Sequence, residues 1–452
     1  MYRGSPTGAR RALLAAFTAC SVLLAACGGG GSAAPTAAPK TESKPTTASS
    51  PAAASSPASS ASRAASSPAS SPAAASSPAS SPAAASSPAS SPVAGASPAA
   101  KPAAGASPAA AGALLPTLVT GAFQGEATSL NGAGATFPAP LYTRWFNDYN
   151  RLTQVQVNYQ AIGSGGGIRA ISDQTVDFGA TDAPMTDEQI RGAKGGEILH
   201  VPMALGAVVA TYNMPEVSTT LQFSGDTLAG IYLGQIAKWN DAKIAADNPG
   251  VTLPNRDIVV VYRSDGSGTT SIFTDYLSNI SSEWKSKVGS STSVSWPTGI
   301  GAQGNPGVTN EVKQNPYAIG YVELIYALQQ NLPAASVKNA AGTFAEPTIG
   351  SVTAAAAGIG DRIAPDLRAS IVNAPGAEAY PISGFTWILA YQNMPDKAKA
   401  TAVTRLLYWG ISDGQKLNAE LGYAPLPAVI AQKAQEKIQS IQSGGSAAFP
   451  GR

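Results

Sequence analysis

An abrupt change in composition near residue 120 constrains this chain more than any other feature. Residues 28–112 are almost entirely Ala, Ser, Pro, Gly and Thr, and apart from Tyr2 and Phe17 every aromatic residue lies at Phe123 or later. A segment without aromatic or large aliphatic side chains cannot bury enough apolar surface to offset the entropy lost on ordering. A folded core is therefore expected only from about residue 121 onward.

The first residues have the pattern of an export signal. Arg3, Arg10 and Arg11 precede a short apolar stretch that ends in Leu24-Ala25-Ala26-Cys27-Gly28. A positive start, a short apolar middle and small residues at the end are typical of a secretory signal, and this end resembles a bacterial lipobox. We expect a signal peptide over 1–26 and lipidation of Cys27, which would hold the protein on the extracytoplasmic face of the membrane, in a periplasm or at the cell surface. The alternative is an ordinary cleavage site with an incidental cysteine.

The next segment has the composition of a tether. The decamer Ser-Ser-Pro-Ala-Ser-Ser-Pro-Ala-Ala-Ala begins at Ser66 and again at Ser76, and an imperfect copy begins at Ser86. Repeated proline favours an extended spacer without a packed core. We expect a disordered Ala/Ser/Pro-rich linker over 27–120.

Charge and residue usage exclude several functions. Of 29 Lys and Arg, seven precede residue 128, and of 27 Asp and Glu, two do, so 128–452 keeps 22 basic and 25 acidic residues and a net charge of −3. A nucleic-acid binder usually has the opposite sign. His200 is the only histidine, and Cys20 and Cys27 both precede residue 30, so a His-rich metal site and thiol chemistry are excluded from the globular part. We expect no metal, no cofactor and no nucleic-acid partner.

Three turns of small residues share one design within a pattern of alternating strands and helices, which predicts an α/β architecture. The turns are 132–138, 163–167 and 263–270; the first and third precede clear apolar helical faces, and the third carries Arg263. A turn that opens a helix leaves free backbone amides at the positive end of the helix dipole, which is an anion site. One such turn would usually be an ordinary helix cap. Three of them favour a common oxyanion pocket, and no segment has the Gly-x4-Gly-Lys pattern of a nucleotide loop.

A single carboxylate follows one of the predicted strands. Residues 176–182 alternate so that Asp182 heads toward the carboxyl end of the strand, where ligands of open α/β sheets gather. Asp182 therefore either caps a helix that begins near Met185 or faces the anion.

Together these residues resemble the substrate-binding protein of the bacterial ABC phosphate importer. The resemblance runs from about Leu130 to about Gln435. The matching stretches are 130–140 (LNGAGATFPAP), 162–164 (IGS), 176–180 (VDFGA), 182–184 (DAP), 231–234 (IYLG) with Trp239, 265–269 (DGSGT) and 318–323 (AIGYVE).

The resemblance implies a two-lobe fold of the periplasmic-binding-protein type (type II). One lobe would comprise 128–205 plus 385–446, and the other would comprise 206–384. The chain would cross between the lobes near 205–207 and again near 381–383.

The resemblance also implies a set of phosphate ligands, and a role for Asp265 in holding Arg263 in place. Gly165 stands where many relatives have a second serine, so the resemblance carries no hydroxyl contact there. The implied ligands are Thr136, Phe137 through its amide, Ser164, Asp182, Arg263, Ser267, Gly268 through its amide, and Thr269.

An ionised carboxylate only accepts hydrogen bonds, so Asp182 would accept one from hydrogen phosphate and would repel fully deprotonated sulfate. The implied function is capture of inorganic phosphate and its delivery to the permease of an ABC importer, by a monomer without catalytic residues. One alternative is a secreted phosphatase that uses Ser164 or Ser267 as nucleophile. Such an enzyme usually needs a base or a metal cluster, and His200 lies in a segment with the pattern of a strand edge. Further alternatives are a surface sensor or adhesion lipoprotein, and another tetrahedral oxyanion such as arsenate.

Overall fold

The computed structural model describes residues 115–357, 359 and 363–450. These residues belong to one compact unit. The predicted signal peptide, Cys27 and most of the predicted tether lie outside the described residues.

Strands and helices alternate along the chain, as the sequence predicts. The strands are β1 (Ser129–Gly134), β2 (Gln156–Ala161), β3 (Phe178–Thr181), β4 (Ile198–Tyr212), β5 (Gln222–Phe223), β6 (Val259–Arg263), β7 (Ile300–Ala302), β8 (Ala318–Glu323), β9 (Ser336–Lys338), β10 (Phe344–Ala345), β11 (Ser383–Tyr391), β12 (Gln442–Ser443) and β13 (Ser446–Ala447). The helices are α1 (Ala139–Thr153), α2 (Ser164–Ser172), α3 (Asp187–Arg191), α4 (Gly225–Tyr232), α5 (Ala242–Asp247), α6 (Gly268–Ile280), α7 (Ser282–Lys287), α8 (Gly304–Gln314), α9 (Leu324–Gln329), α10 (Ile349–Ala357), α11 (Lys397–Ile411) and α12 (Ala428–Gln439).

Eight strands form the central sheet, in the order β2-β1-β3-β11-β4-β8-β6-β7. β1 pairs in parallel with β2 and β3, and β6 pairs in parallel with β7 and β8. β11 is antiparallel to both of its neighbours, β3 and β4. Each end of the sheet is thus a parallel α/β unit.

β4 joins these two halves of the sheet. Its first part, 198–207, pairs with β11, and its second part, 208–212, pairs with β8. Ala207 lies opposite Ser383, and the next residue, Val208, lies opposite Glu323. All 15 residues of β4 are buried, as expected for a strand covered on both faces. The two-lobe α/β fold expected from the sequence is therefore confirmed.

The apolar faces predicted for the helices are buried. Leu141, Tyr142, Trp145, Phe146 and Tyr149 are all buried on one side of α1. Fully burying a large apolar side chain contributes about 1.5–3 kcal/mol, so this face alone orients α1 strongly against the sheet. The corresponding face of α6 is buried in the same way, through Ile272, Phe273, Tyr276 and Leu277.

Residues 115–120 belong to the folded part, although the sequence analysis placed them in the tether. Val119 is only 1% exposed, and the Tyr408 hydroxyl donates a hydrogen bond of 2.8 Å to the carbonyl of Pro116. The hydroxyl of Thr117 donates to Asp413 at 2.8 Å. Val119 belongs to the buried core, and Leu115 packs against it, so both contribute apolar contacts to the folded part.

Candidate functional site

Three strand-to-helix turns meet at the carboxyl ends of parallel strands. They are the turns β1 to α1, β2 to α2 and β6 to α6, which are the three turns selected from the sequence. Neighbouring parallel strands bring the turns within each half together, because they end at the same edge of the sheet. Gly163, which precedes α2, has φ +87°, a left-handed conformation that glycine adopts without strain.

Asp182 comes directly after β3 and contacts turns from both halves. Its backbone N–H donates to Oγ of Ser164 at 3.2 Å, and Ser164 Oγ lies 3.4 Å from Oδ2 of Asp182. The N–H of Gly268, at the start of α6, also donates to Ser164 Oγ, at 3.0 Å. The interpretation of Asp182 as a helix cap is wrong, because Thr186 caps α3.

Arg263 ends β6 and is held by Asp265, as the sequence analysis expected. Its Nε and Nη2 donate to the two carboxylate oxygens of Asp265, at 2.8 and 2.6 Å. The backbone N–H of Gly304 donates to the same carboxylate at 2.9 Å. The guanidinium side chain is 1% exposed. Its Nη1 donates to Oγ1 of Thr269 at 3.3 Å, so the end of the guanidinium that Asp265 leaves open faces another predicted ligand.

Asn305 is a residue of this site that sequence reasoning missed. It lies in the first turn of α8, and its Nδ2 donates to Oγ1 of Thr136 at 3.0 Å and to Oγ1 of Thr269 at 3.2 Å. Its backbone N–H also donates to Thr136 Oγ1. The signal was present: 300–307 (IGAQGNPG) is a fourth small-residue turn after a strand and before a helix, but it lacks the Ser or Thr that marked the other three.

The remaining predicted ligands are also at these turns. Phe137 follows Thr136, and its carbonyl accepts a 2.6 Å hydrogen bond from the Tyr423 hydroxyl. The Ser267 hydroxyl oxygen caps α6 by accepting a hydrogen bond from the N–H of Thr270 at 3.1 Å. The hydroxyl hydrogen of Ser267 can still be donated to a ligand. All eight predicted ligands are buried.

The two halves touch across this site. The N–H of Gly165 donates to the carbonyl of Gly266 at 2.9 Å, and the contacts of Gly268 with Ser164 and of Asn305 with Thr136 also cross from one half to the other. The residues therefore form the walls of a closed cleft.

The Asp182 carboxyl is the unusual group of the cleft. Burial raises its pKa to about 7, although the hydroxyls of Thr386 and Ser164 and the positive charge of Arg263 lower it in part. Among the described residues its Oδ1 is buried and makes no hydrogen bond of normal geometry, and the nearby Thr386 hydroxyl, although it lowers the pKa, is itself without such a partner. A buried acceptor without a donor is costly, so this atom fits a ligand that brings its own proton.

The cleft has the chemistry of an anion-binding site with one acceptor. Hydroxyls, backbone amides and one guanidinium supply donors, while the charge of Arg263 is balanced by Asp265. Burial on its own raises the pKa of Asp265, but the hydrogen bonds and charge of Arg263 outweigh it and the pKa is lowered. The acid therefore remains ionised beside the guanidinium.

His200 is remote from this chemistry. It lies near the start of β4, a central strand rather than a sheet edge, and its Nε2 accepts the N–H of Met185 at 3.0 Å. Burial lowers the pKa of His200 to about 4, so the ring is neutral and serves as a backbone acceptor.

The described ranges contain neither a membrane-spanning helix nor a metal-binding cluster of side chains. No helix there is both long and apolar enough to cross a bilayer. In that same part of the chain, no three His, Cys, Asp or Glu side chains are grouped so that they could hold a metal ion.

Comparison with known proteins identifies the family. The model of the PBP superfamily domain matches residues 78–413. The phosphate-binding protein PstS of Xylella fastidiosa (strain 9a5c) is 44% identical over 307 residues, which cover 68% of this chain and 84% of the relative. The PstS protein of Methanocaldococcus jannaschii is 40% identical over 332 residues, covering 68% of this chain and 85% of the relative.

Solved structures share the fold. A high-affinity periplasmic phosphate-binding protein with phosphate bound aligns with a TM-score of 0.55 at 22% identity, over 68% of this chain and 93% of that one. A phosphate-binding protein from Stenotrophomonas maltophilia aligns with a TM-score of 0.52 at 19% identity, over 69% and 94% of the two chains. The fold, the convergent turns and the sequence identity agree, and the chain belongs to the PstS family of phosphate-binding proteins within the PBP superfamily.

Proposed function

We propose that this protein captures inorganic phosphate in the cleft between its lobes and delivers it to the permease of an ABC importer. The single observation that carries the proposal is the buried Oδ1 of Asp182, which lacks a hydrogen-bond partner among the described residues, beside the guanidinium and hydroxyl donors of the cleft. A tetrahedral anion that retains one proton satisfies both kinds of group.

The donor inventory is large enough for tight binding. Four oxygens accept roughly a dozen hydrogen bonds, and the cleft offers about ten donors. Hydrogen bonds to charged groups contribute on the order of 1.5–3 kcal/mol each, and micromolar binding needs about 8 kcal/mol. The proposed ligands are the eight from the sequence analysis and, in addition, Asn305, whose Nδ2 lies between Thr136 and Thr269.

Asp182 links recognition to closure. When the cleft closes without a ligand, burial raises the pKa of this acid and penalises its charged form. Hydrogen phosphate supplies a proton for the carboxylate and removes that penalty. Sulfate carries no proton at neutral pH. Its oxygen lone pairs would therefore face the Asp182 carboxylate, which can only accept hydrogen bonds.

The strand pairing supports the proposed lobe bounds to within about two residues. We place one lobe at 128–205 plus 385–446 and the other at 206–384, with the hinges where β4 changes partner between Ala207 and Val208 and where β11 begins at Ser383. Rotation about these hinges would separate Gly268 from Ser164 and Asn305 from Thr136 and would open the cleft.

The location of the protein follows from its first residues. A lipid on Cys27 and the long Ala/Ser/Pro linker would hold a monomer on the outer face of the membrane, within reach of a permease. A phosphatase is disfavoured because the ring of His200, the only histidine of the chain, is engaged with Met185. The carboxyl beside Ser164 is that of Asp182, which we assign to the proton of the ligand.

Phosphate uptake tests this proposal. Cells that lack the gene for this chain should take up radiolabelled phosphate slowly, and the full chain should restore uptake while a Cys27→Ala chain restores less. The Arg263→Gln chain should fail to restore uptake at equal expression, and Arg191→Gln, at an exposed position, should restore it fully. Uptake that does not depend on the chain, together with normal phosphate binding, would favour the sensor or adhesion alternative.

A further inference from the structure

Residues 363–373, named the strap here, lie between α10 and β11 in the lobe proposed at 206–384 and contact the other lobe across the cleft. The strap is not one of the strand-to-helix turns that form the phosphate cleft. Arg368 meets the turn that follows Asp182, and Ser370, two residues further along, meets α6.

Arg368 makes the first contact. Its Nη1 donates to the carbonyl of Met185 at 2.8 Å, and its Nη2 lies 2.7 Å from Oδ1 of Asp187. Asp366, also in the strap, orients the guanidinium by accepting from its Nε at 2.8 Å. Met185 is three residues beyond Asp182, and its N–H is held by His200. The turn that carries Asp182 is therefore fixed on one side by β4 and on the other by the strap.

Leu367 adds a second contact to the same lobe. Its carbonyl accepts the indole N–H of Trp387 at 2.9 Å. Leu367 has φ +62° and is 1% exposed. Leucine rarely adopts this left-handed conformation. The conformation persists only where surrounding contacts impose it. Leu367 directly precedes Arg368. The contacts that hold Leu367 therefore also direct the Arg368 guanidinium toward Met185.

Ser370 holds the strap to α6 within their own lobe. Its hydroxyl donates to Oδ2 of Asp275 at 2.8 Å. Asp275 lies on α6, the helix whose first residue, Gly268, donates to Ser164 across the cleft. A cavity of about 200 Å³ lies behind the site, lined by Asp182, Ser271 and the strap residue Ile371 among others. The strap thus spans the gap between the Asp182 turn and α6.

We propose that the strap is a latch that holds the closed cleft shut, and that Arg368 is a positioning residue for phosphate retention. Opening the cleft moves the Asp182 turn away from α6, so it must break either the contacts of Arg368 and Leu367 or the hydrogen bond between Ser370 and Asp275. These contacts stabilise the closed form without touching the ligand. They therefore slow phosphate release and leave the choice between phosphate and sulfate unaltered. This inference rests on the proposed function.

Release kinetics of the full chain test the latch. The chain is loaded with radiolabelled inorganic phosphate and chased with excess unlabelled phosphate. Arg368→Gln should speed release about fivefold, with an association rate within about twofold of the wild type. Arg191→Gln is the matched control, because Arg191 lines the same surface pocket as Arg368 and is exposed. Its release rate should equal that of the wild type.

A partner exchange separates the latch from a general loss of packing. Ser370→Asp places a second carboxylate against Asp275 and should speed release about threefold by repulsion. Adding Asp275→Ser exchanges donor and acceptor, re-forms the hydrogen bond and should restore slow release. This pair also keeps the inference testable if the Arg368→Gln chain fails to fold.

The outcomes are distinct. Unchanged release in Arg368→Gln and Ser370→Asp, or failure of the exchanged pair to slow release again, overturns the latch while phosphate binding by the wild type still supports the proposed function. Faster release with an altered phosphate-to-sulfate ratio also overturns it, because the strap would then act on recognition. A wild-type chain that retains no phosphate overturns the proposed function itself.

Discussion

Gly268 packs directly against Asp182 across the cleft. A Cβ at position 268 would lie 2.6 Å from the Cβ of Asp182 and 2.7 Å from its backbone N and Cα. The N-terminus of α6 can therefore reach this acid only because residue 268 has no side chain, and the two walls of the site meet at this contact.

Gly268→Ala should weaken phosphate binding on the order of 100-fold, because the added methyl group keeps the lobes from closing fully. Opening the cleft relieves the clash, so the melting temperature of the ligand-free protein should change little. Gly307→Ala is the matched control, since its Cβ would meet only ordinary contacts, the nearest at 3.5 Å. Unaltered affinity in Gly268→Ala would contradict the closed cleft as the binding form.

Asp182→Asn should narrow the preference for phosphate over sulfate. The amide donates where the carboxylate only accepts, so sulfate should gain roughly 10- to 100-fold in affinity relative to phosphate. Displacement of radiolabelled phosphate by sulfate measures the ratio. Asp173→Asn, at an exposed position, is the control. An unchanged ratio would mean that Asp182 does not select the ligand.

Acid should have the same effect on the wild type as this substitution. The pKa of Asp182 is raised by burial to about 7, so its carboxyl gains a proton as the pH falls through 7 and becomes a donor for sulfate. Sulfate should therefore compete better at pH 5.5 than at pH 8.5 in the wild type, and the Asp182→Asn chain should show a flatter profile. Equal competition at both pH values in the wild type would contradict this assignment.

Asp265→Asn should weaken phosphate binding about tenfold or more, because the neutral amide no longer holds the fork of Arg263. The effect on stability should depend on pH. The pKa of Asp265 is lowered in the folded protein, so its stabilising effect is complete above the ordinary carboxyl value of 3.8 and is lost as the pH falls through the lowered value. Melting temperatures of wild type and variant should differ at pH 7 and converge below pH 3.8; a constant difference would oppose this account.

Asn305→Ala should weaken phosphate binding roughly 10- to 100-fold, because it leaves Thr136 and Thr269 without their shared donor. Gln303→Ala, at an exposed neighbouring position, should bind normally. Calorimetric titration of the two variants in parallel measures the difference. Wild-type affinity in Asn305→Ala would remove this residue from the site.

The sequence predicts the α/β fold and the three turns, because each depends on residues close together in the chain, and the family resemblance implies the pairing of Arg263 with Asp265. It does not predict Asn305, since a side chain amide after a Gly-rich turn has no distinctive local pattern. Nor does it predict the contact between Arg368 and Met185, which are 183 positions apart. The raised pKa of Asp182 also depends on closure of two distant walls, and only the folded chain determines its burial.

Calorimetric titration of the ligand-free full chain at pH 8, first with phosphate and then with sulfate, tests the central claim most directly. A cleft that demands a proton from its ligand should bind one phosphate per chain with a Kd of about 1 μM or tighter and should give no binding heat with sulfate at millimolar concentrations. Absence of phosphate binding, or comparable affinity for sulfate, would contradict the account.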